Sequence, residues 1–319
     1  MFCLNQITLN GTNRTRLDNM TLTIPHGRTA IVGLSGAGKT SLLNILAGFE
    51  SPDSGTLTQS QSGRIDRLSI YWVPQNGVLW PHLTVEQHLE CVNKVRKSTD
   101  EIVESMGLAQ RRSAFPGELS QGERSRLALA RALATRAEVL LMDEPLSHVD
   151  PVRKPVYWKS VERLLEKDQI SVIFSSHEPE IVLRHSDQVI CLHEGRVAFQ
   201  GATRDLYNSP PGSFVGEFLG PVNWFESEEA VMLSENHDRQ QSAFGVRPER
   251  LILSLDPSSP LELTAVTYSG AYVESVVTHV ESRKIRTILH QAVGEMPQPG
   301  QRIGLRMLKP ATQSPAAYR

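Results

Sequence analysis

The chain is poor in cysteine, in net charge and in long apolar runs, and each shortage excludes something. Its 319 residues include three cysteines, Cys3, Cys91 and Cys191, far apart and without metal-type spacing. That argues against a disulfide framework or a zinc site and fits a reducing compartment. Charged residues make up 21% and the formal net charge is -2. Bulk charge therefore gives no reason to expect nucleic acid or an anionic membrane as partner. The basic clusters Lys94-Val95-Arg96-Lys97 and Arg111-Arg112 read as solvated helix faces. No run reaches the roughly 18 apolar residues needed to cross a bilayer. Met1 to Gln6 lacks the basic start and apolar stretch of a signal peptide, so none is expected.

What is present is an ordinary globular composition, 39% hydrophobic, long enough for one large α/β domain and a smaller second one. Leu4 to Ile24 reads as short strands and turns, with Met20–Ile24 alternating as a strand should. Thr29-Ala30-Ile31-Val32 is a short apolar run ending in glycines, and Ser41 to Gly48 continues as an apolar-rich helix. From Asn76 to about Arg136 the pattern is mostly helical. Val139–Met142 and Ser171–Phe174 read as buried parallel strands. Gln188–Leu192, a turn at His193–Arg196, and Val197–Phe199 read as a late hairpin. Ser209-Pro210-Pro211-Gly212 and Gly220-Pro221 break regular structure, which sets an expected boundary between residues 1–220 and 221–319. Beyond it, Leu261–Val266, Tyr272–Val277 and Arg302–Met307 suggest a small β-barrel.

The most specific segment is Gly33-Leu34-Ser35-Gly36-Ala37-Gly38-Lys39-Thr40. Its glycines let successive backbone N–H groups turn inward around phosphate oxygens, and the following helix points its positive end at the same anion. Lys39 can reach the β- and γ-phosphates, and the Thr40 hydroxyl can ligate Mg²⁺. Alone, this motif says only nucleoside triphosphate; ATPase, GTPase and kinase stay open. Val139-Leu140-Leu141-Met142-Asp143-Glu144 places two carboxylates at the end of a buried strand. Asp143 suits Mg²⁺ and Glu144 suits an attacking water, the two roles a hydrolase needs. Leu119-Ser120-Gln121-Gly122-Glu123 opens a strongly helical stretch, so Ser120 and the N–H groups of Gln121 and Gly122 form an anion site or a plain helix cap.

Taken together and in this order, the three motifs resemble those of the ATP-binding-cassette family over about residues 4–220. Gln75, in Val73-Pro74-Gln75, looks like the glutamine that touches Mg²⁺ and the attacking water. Ser147-His148-Val149-Asp150 resembles the loop that crosses the dimer interface. His177 looks like the switch histidine at the γ-phosphate. The resemblance implies an α/β P-loop cassette with a mixed sheet and a helical subdomain at about residues 76–136. It implies catalytic roles for Glu144, His177 and Gln75, and Mg²⁺ at Thr40, Gln75 and Asp143. ATP would be held by Gly33, Ser35, Gly36, Ala37, Gly38, Lys39, Thr40 and Ser41 of one chain, and by Ser120, Gly122 and Asp150 of a second copy or homologous subunit. It further implies separate membrane permease subunits docking near residues 76–115, a solute-binding protein acting through them, no nucleic acid, and a place on the cytoplasmic face of a bacterial inner membrane. DNA-repair relatives insert a long coiled coil for which this chain has no room, and translation relatives carry two cassettes.

The sequence departs from the family's pattern in places. The signature usually reads Leu-Ser-Gly-Gly-Gln; here Gln121 and Glu123 replace a glycine and the glutamine. His148 stands where a small residue is usual, and Glu178 follows His177 where aspartate is common. No aromatic occupies Leu9–Arg14, where the family stacks one on adenine, leaving Arg14 or Arg16 as substitutes. His82, His88, His185 and His193 read as surface or helix residues, Trp72 as core, and Trp80 as either a docking contact or simple packing. Tyr157 and Trp158 are expected to pack on the helix after the interface loop. Phe244-Gly245-Val246-Arg247-Pro248-Glu249-Arg250 resembles a Gly-Ile-Arg-Pro-Glu segment in the oligonucleotide-fold-like appendage of bacterial importer ATPases. That predicts a small all-β regulatory or dimerisation domain.

Overall fold

Alternating apolar residues start the chain as an antiparallel pair. β1 (Phe2–Asn10) buries Phe2, Leu4, Ile7 and Leu9, and β2 (Thr15–Ile24) buries Leu17, Met20, Leu22 and Ile24. The computed structural model describes residues 2–60, 68–93, 96–227, 229, 242–294 and 296–308, with backbone alone for 96–98. The basic cluster at Lys94 therefore lies outside the described side chains. The chain forms two compact units, Met1–Thr203 and Arg204–Arg319.

In the first unit, β3 (Arg28–Gly33), α1 (Lys39–Leu46) and β4 (Ser54–Gln59) follow the opening pair. β4 joins β1 to complete the sheet β2-β1-β4. A six-stranded sheet holds the rest. β5 (Ile70–Val73), β6 (Val139–Asp143), β7 (Ser171–Ser175), β8 (Gln188–His193) and β9 (Arg196–Ala202) assemble with β3 in the order β5-β6-β7-β3-β8-β9. All neighbours run parallel except β8 and β9. Val139 to Asp143 is buried throughout, as a strand covered on both faces must be, and each buried aliphatic side chain there contributes about 1.5–3 kcal/mol. One apolar core joins β1 and β2 to α1 and to Ile31, Leu141, Ile173 and Ile190 of the large sheet.

The helical character expected across Asn76–Arg136 is only partly realised. α2 (Val85–Glu90), α3 (Arg96–Ser105) and α4 (Gln121–Thr135) form, with short 3₁₀ turns at Ala109–Arg111 and Pro116–Glu118. Gly77 and Pro81 interrupt the first stretch, and Gly107, Pro116 and Gly117 the second, because proline removes a helix donor and glycine costs backbone entropy. Thr84 starts α2 with a reciprocal capping box to Gln87. α5 (Lys154–Asp168) carries the buried Tyr157 and Trp158, and α6 (Pro179–His185) places the His185 ring on Trp158 at 4.7 Å.

The division of the chain falls at Thr203, ahead of the expected residue 220. The reason is Arg247, a buried cation whose guanidinium donates to the carbonyls of Tyr207 (2.9 Å), Gly216 (3.0 Å), Gly220 (2.7 Å) and Pro221 (3.1 Å). The Gly-Val-Arg-Pro-Glu segment thus gathers residues 204–221 into the second unit. α7 (Thr203–Asn208) and α8 (Ser213–Glu217) lead to the paired strands β10 (Asn223–Phe225) and β11 (Phe244–Val246). β12 (Leu251–Leu255), β13 (Leu261–Tyr268), β14 (Val273–His279), β15 (Ile285–His290) and β16 (Ile303–Met307) then form an all-β body. Ladders β12-β16 and β13-β14-β15 are joined by the bridges Glu262–Arg302 and Ile252–Gln291 into a five-stranded ring, an oligonucleotide-fold-like barrel. Its core is Leu251, Leu253, Leu263, Val277, Ile288 and Leu305.

Candidate functional site

Parallel register determines which chemical groups meet. Asp143 pairs with Ser175 at the carboxyl ends of β6 and β7, and Ile31 pairs with the same serine from β3. Gly33–Thr40 leaves β3 at that end of the sheet, where open α/β sheets bind ligands. Gly33 closes β3 with φ +153, and a Cβ there would lie 2.5 Å from Leu192 O, so only glycine fits. Gly36 and Gly38 continue the turn at φ +78 and +107, and α1 begins directly at Lys39. The Lys39 ammonium donates to Gly33 O at 2.8 Å and Leu34 O at 3.1 Å. Burial lowers its pKa from the usual lysine value, while the carboxylates of Glu144 and Asp143 oppose that shift. A half-buried cation anchored on two carbonyls is ready to be taken over by an anion.

The oxygen donors sit beside it. Thr40 Oγ1 donates to Asp143 Oδ2 at 2.8 Å, and Ser175 Oγ donates to Asp143 Oδ1 at 2.5 Å. Hard oxygens of this kind suit Mg²⁺. Among the described residues no group of three or more His, Cys, Asp or Glu could hold a metal unaided. Such a site fits Mg²⁺ shared with triphosphate oxygens, its usual mode.

Glu144 follows Asp143 with φ +48, a left-handed conformation rare outside glycine and strained by about 1–3 kcal/mol. Its N–H donates to Ser175 Oγ at 2.9 Å. Its two carboxylate oxygens are held separately: Gln75 Nε2 donates to Oε2 at 3.0 Å, and His177 Nδ1 lies 3.3 Å from Oε1. Gln75 reaches it because β5 pairs Val73 with Met142, one step before the carboxylates. His177 is largely exposed, so this grip opens to solvent.

Ser120 is the N-cap of α4. Its hydroxyl oxygen accepts from Glu123 N at 3.2 Å, and its N–H donates to Glu123 Oε2 at 2.9 Å. Gly122 lies against the interface loop, since a Cβ there would be 3.0 Å from His148 O. Asp150 is exposed and its carboxylate accepts from Val152 N at 2.8 Å. Gln75, Gln121, Arg124 and His148 line one polar cleft.

The family model described as ABC transporter matches residues 17–147. The Fe(3+) ions import ATP-binding protein FbpC of Yersinia pseudotuberculosis is 34% identical over 307 residues, covering 85% of this chain and 88% of that protein. The chain belongs to the ABC transporter family. The sulfate/thiosulfate import ATP-binding protein CysA of Gloeobacter violaceus is 35% identical over 250 residues, covering 74% and 72%. A solved dimeric, post-hydrolysis state of the ATP-binding cassette MJ0796 bound to ADP and Pi matches with TM-score 0.56 and 25% identity, covering 64% of this chain and 99% of that one.

This ABC ATPase carries several site contacts that sequence reasoning missed. Ser175 bonds both Asp143 and Glu144; its place at a strand end two residues before His177 was the available signal. Arg16 does not stand free for adenine: it is bonded to Glu50 at 2.6 and 2.9 Å and to Ser41 Oγ at 2.9 Å. Ser41 is thus tied to Arg16 rather than open. Arg14 is exposed and donates to Gly36 O at 3.3 Å, at the phosphate loop itself. Trp80 is both packed and partly exposed. It stacks on the fully buried His88, and the Arg131 guanidinium lies 4.5 Å from its ring centroid. Arg131, on α4, donates to the carbonyls of Gly77 and Val78 at 3.0 Å each. The loop after Gln75 is thereby fastened to the helix that Ser120 caps.

Proposed function

We propose that this chain is the energising subunit of a bacterial solute importer, hydrolysing ATP in a head-to-tail pair with a second copy or a homologous subunit. The observation that carries this reading is the two-sided hold on Glu144 by Gln75 and His177, one strand position past the Asp143–Thr40 pair. In this reading Lys39 and the N–H groups of Gly33–Ser41 bind the β- and γ-phosphates. Thr40 and Asp143 supply protein oxygens to Mg²⁺, and the Gln75 carbonyl is available to join them because its amide nitrogen faces Glu144. Bound Mg²⁺ neutralises charge on the phosphate oxygens. Glu144 accepts a hydrogen bond from the attacking water and orients it, with Gln75 and His177 holding the carboxylate. Ser120, Gly122 and Asp150 serve the nucleotide of the partner copy.

The curated relatives named above are import ATP-binding proteins, which favours import over export. The region 76–115, with Trp80 partly exposed, is the surface proposed for permease subunits, and the barrel is proposed to regulate or dimerise. No helix among the described residues is long and apolar enough to cross a membrane, which supports the proposal that other chains supply the pore. We place the subunit on the cytoplasmic face of the inner membrane, with a solute-binding protein reached only through the permease and no nucleic-acid partner. Glu144→Gln tests the chemistry: ATP turnover should fall below detection while ATP-dependent dimerisation survives. Turnover at the parent rate would remove Glu144 from its role. Co-purification with a multi-span membrane protein tests the transport reading, and recovery of soluble partners alone would sink it.

A further inference from the structure

The signature serine has an unusual neighbour. Glu123 Oε2 accepts from the Ser120 N–H and also from the Ser120 hydroxyl, both at 2.9 Å. The other carboxylate oxygen, Oε1, faces Arg111 Nε at 3.3 Å. Arg111 ends the 3₁₀ turn Ala109–Arg111, which precedes α4 in the chain. The hydroxyl of Ser120 has one hydrogen, and Glu123 already receives it. The oxygen also accepts from Glu123 N. In this state Ser120 can offer an incoming phosphate only a lone pair, which an anion cannot use.

We infer that Glu123 holds the Ser120 hydroxyl away from the partner's nucleotide, and that Arg111 sets how strongly it does so. The inference rests on the composite-site reading proposed above. Closure of two copies on ATP must turn the Ser120 hydroxyl off a carboxylate and bring a second negative group close to the triphosphate. Both steps oppose closure. Arg111 offsets the second by neutralising Glu123 from the far side. The surroundings keep Glu123 ionised: the Ser120 N–H is the first cause of a carboxyl pKa below the usual range, with the Ser120 hydroxyl and Arg111 adding to it against the cost of burial. Glutamine at 123 would keep the backbone half of the capping box. It would hold the hydroxyl more weakly, because hydrogen bonds to a charged acceptor are roughly twice as strong as neutral ones. Glu123 and Arg111 are thus positioning residues for the signature serine.

The test measures ATP-dependent dimerisation of the full chain in a Glu144→Gln background. Glu123→Gln should lower the ATP concentration for half-maximal dimerisation by about three- to tenfold, the difference between a hydrogen bond to a charged acceptor and one to a neutral acceptor. Arg111→Ala should raise it, and should have little effect once Glu123→Gln is present. ATP binding by the monomer, which in this reading uses neither Ser120, Glu123 nor Arg111, checks that each variant folds. An unchanged or higher half-maximal ATP in Glu123→Gln overturns the inference, as does an Arg111→Ala effect of equal size in both backgrounds. A Glu144→Gln chain that stays monomeric at saturating ATP sinks the composite site and this inference together. A dimer indifferent to Glu123→Gln sinks the inference alone.

Discussion

Ser175 and Asp143 face each other across adjacent parallel strands, and the serine hydroxyl donates to Asp143 Oδ1. The Ser175 hydroxyl oxygen in turn accepts from Glu144 N, beside the left-handed Glu144 backbone. One fully buried hydroxyl therefore orients one carboxylate and positions the next. Ser175→Ala should cost about 2 kcal/mol or more of stability, since it strands a buried carboxylate oxygen and an N–H. Turnover should fall by roughly tenfold or more, with a raised Mg²⁺ requirement, because an orienting partner of a ligand typically matters on that scale. Ser175→Thr, which restores the hydroxyl, should recover most of both. Turnover against Mg²⁺ concentration and a thermal melt decide it; a Thr variant as impaired as Ala would break the argument.

Gly33 yields a sharper expectation. Its φ of +153 and the Leu192 carbonyl 2.5 Å from any Cβ leave no soft neighbour to give way, because Leu192 O belongs to the strand backbone of β8. Gly33→Ala should destabilise the cassette by roughly 2 kcal/mol or more. It should also weaken ATP binding by at least about tenfold, because the loop opens from this residue. Equilibrium nucleotide binding at matched folded fraction separates the two effects.

The strands that carry chemistry were legible in the sequence because Val139–Met142 and Ser171–Phe174 are short apolar runs, and because two carboxylates directly follow the first. Helix across 76–136 was less legible. Packing onto α4 shapes the pattern there, while Pro81 lies ahead of α2, Gly107 just past α3 and Pro116 at the start of a 3₁₀ turn. The second compact unit begins ahead of the Gly220-Pro221 break for a related reason. Proline and glycine mark irregular backbone, but the carbonyls of that irregular stretch are gathered by Arg247, more than twenty residues onward in sequence. No local pattern announces such a long-range clamp. Contacts such as Arg16 with Glu50 and Ser41 were hidden in the same way, since strand pairing and the turn after α1 bring them together.

His290 supplies a pH prediction for the barrel. It is fully buried, with Nε2 2.9 Å from Ser275 Oγ and Nδ1 2.9 Å from Gln291 O. Burial lowers its pKa, opposed by the Gln291 carbonyl. The unfolded chain, with an ordinary histidine near 6.5, therefore binds more protons than the fold. Stability should be complete above about pH 6.5 and decline as pH falls below it, by at most ~1.4 kcal/mol per pH unit for this one group. His290→Gln should lower the melting temperature at pH 7.5 and flatten its decline between pH 7 and 5. An unchanged slope would remove His290 from the account.

Glu178, the residue that replaces the common aspartate after the switch histidine, has a partner that explains its length. Its carboxylate lies 2.6 Å from the ammonium of Lys154, which is itself buried at the start of α5. The pair links the backbone beside His177 to the helix that follows the interface loop, so two elements expected to respond to nucleotide share one ion pair. A buried cation that loses its anion is costly, typically by about 3–5 kcal/mol, whereas exchanging both partners for apolar groups of similar size is often near neutral. Glu178→Ala should therefore destabilise the chain by roughly 3 kcal/mol, and Lys154→Met with Glu178→Leu by much less. If the pair also coordinates the two loops, the apolar double variant will fold with a near-parent melting temperature yet show altered ATP-dependent dimerisation. Denaturant unfolding and dimerisation measured on both variants distinguish a structural pair from a coupling one, and equal loss of stability in the single and double variants would refute the burial argument.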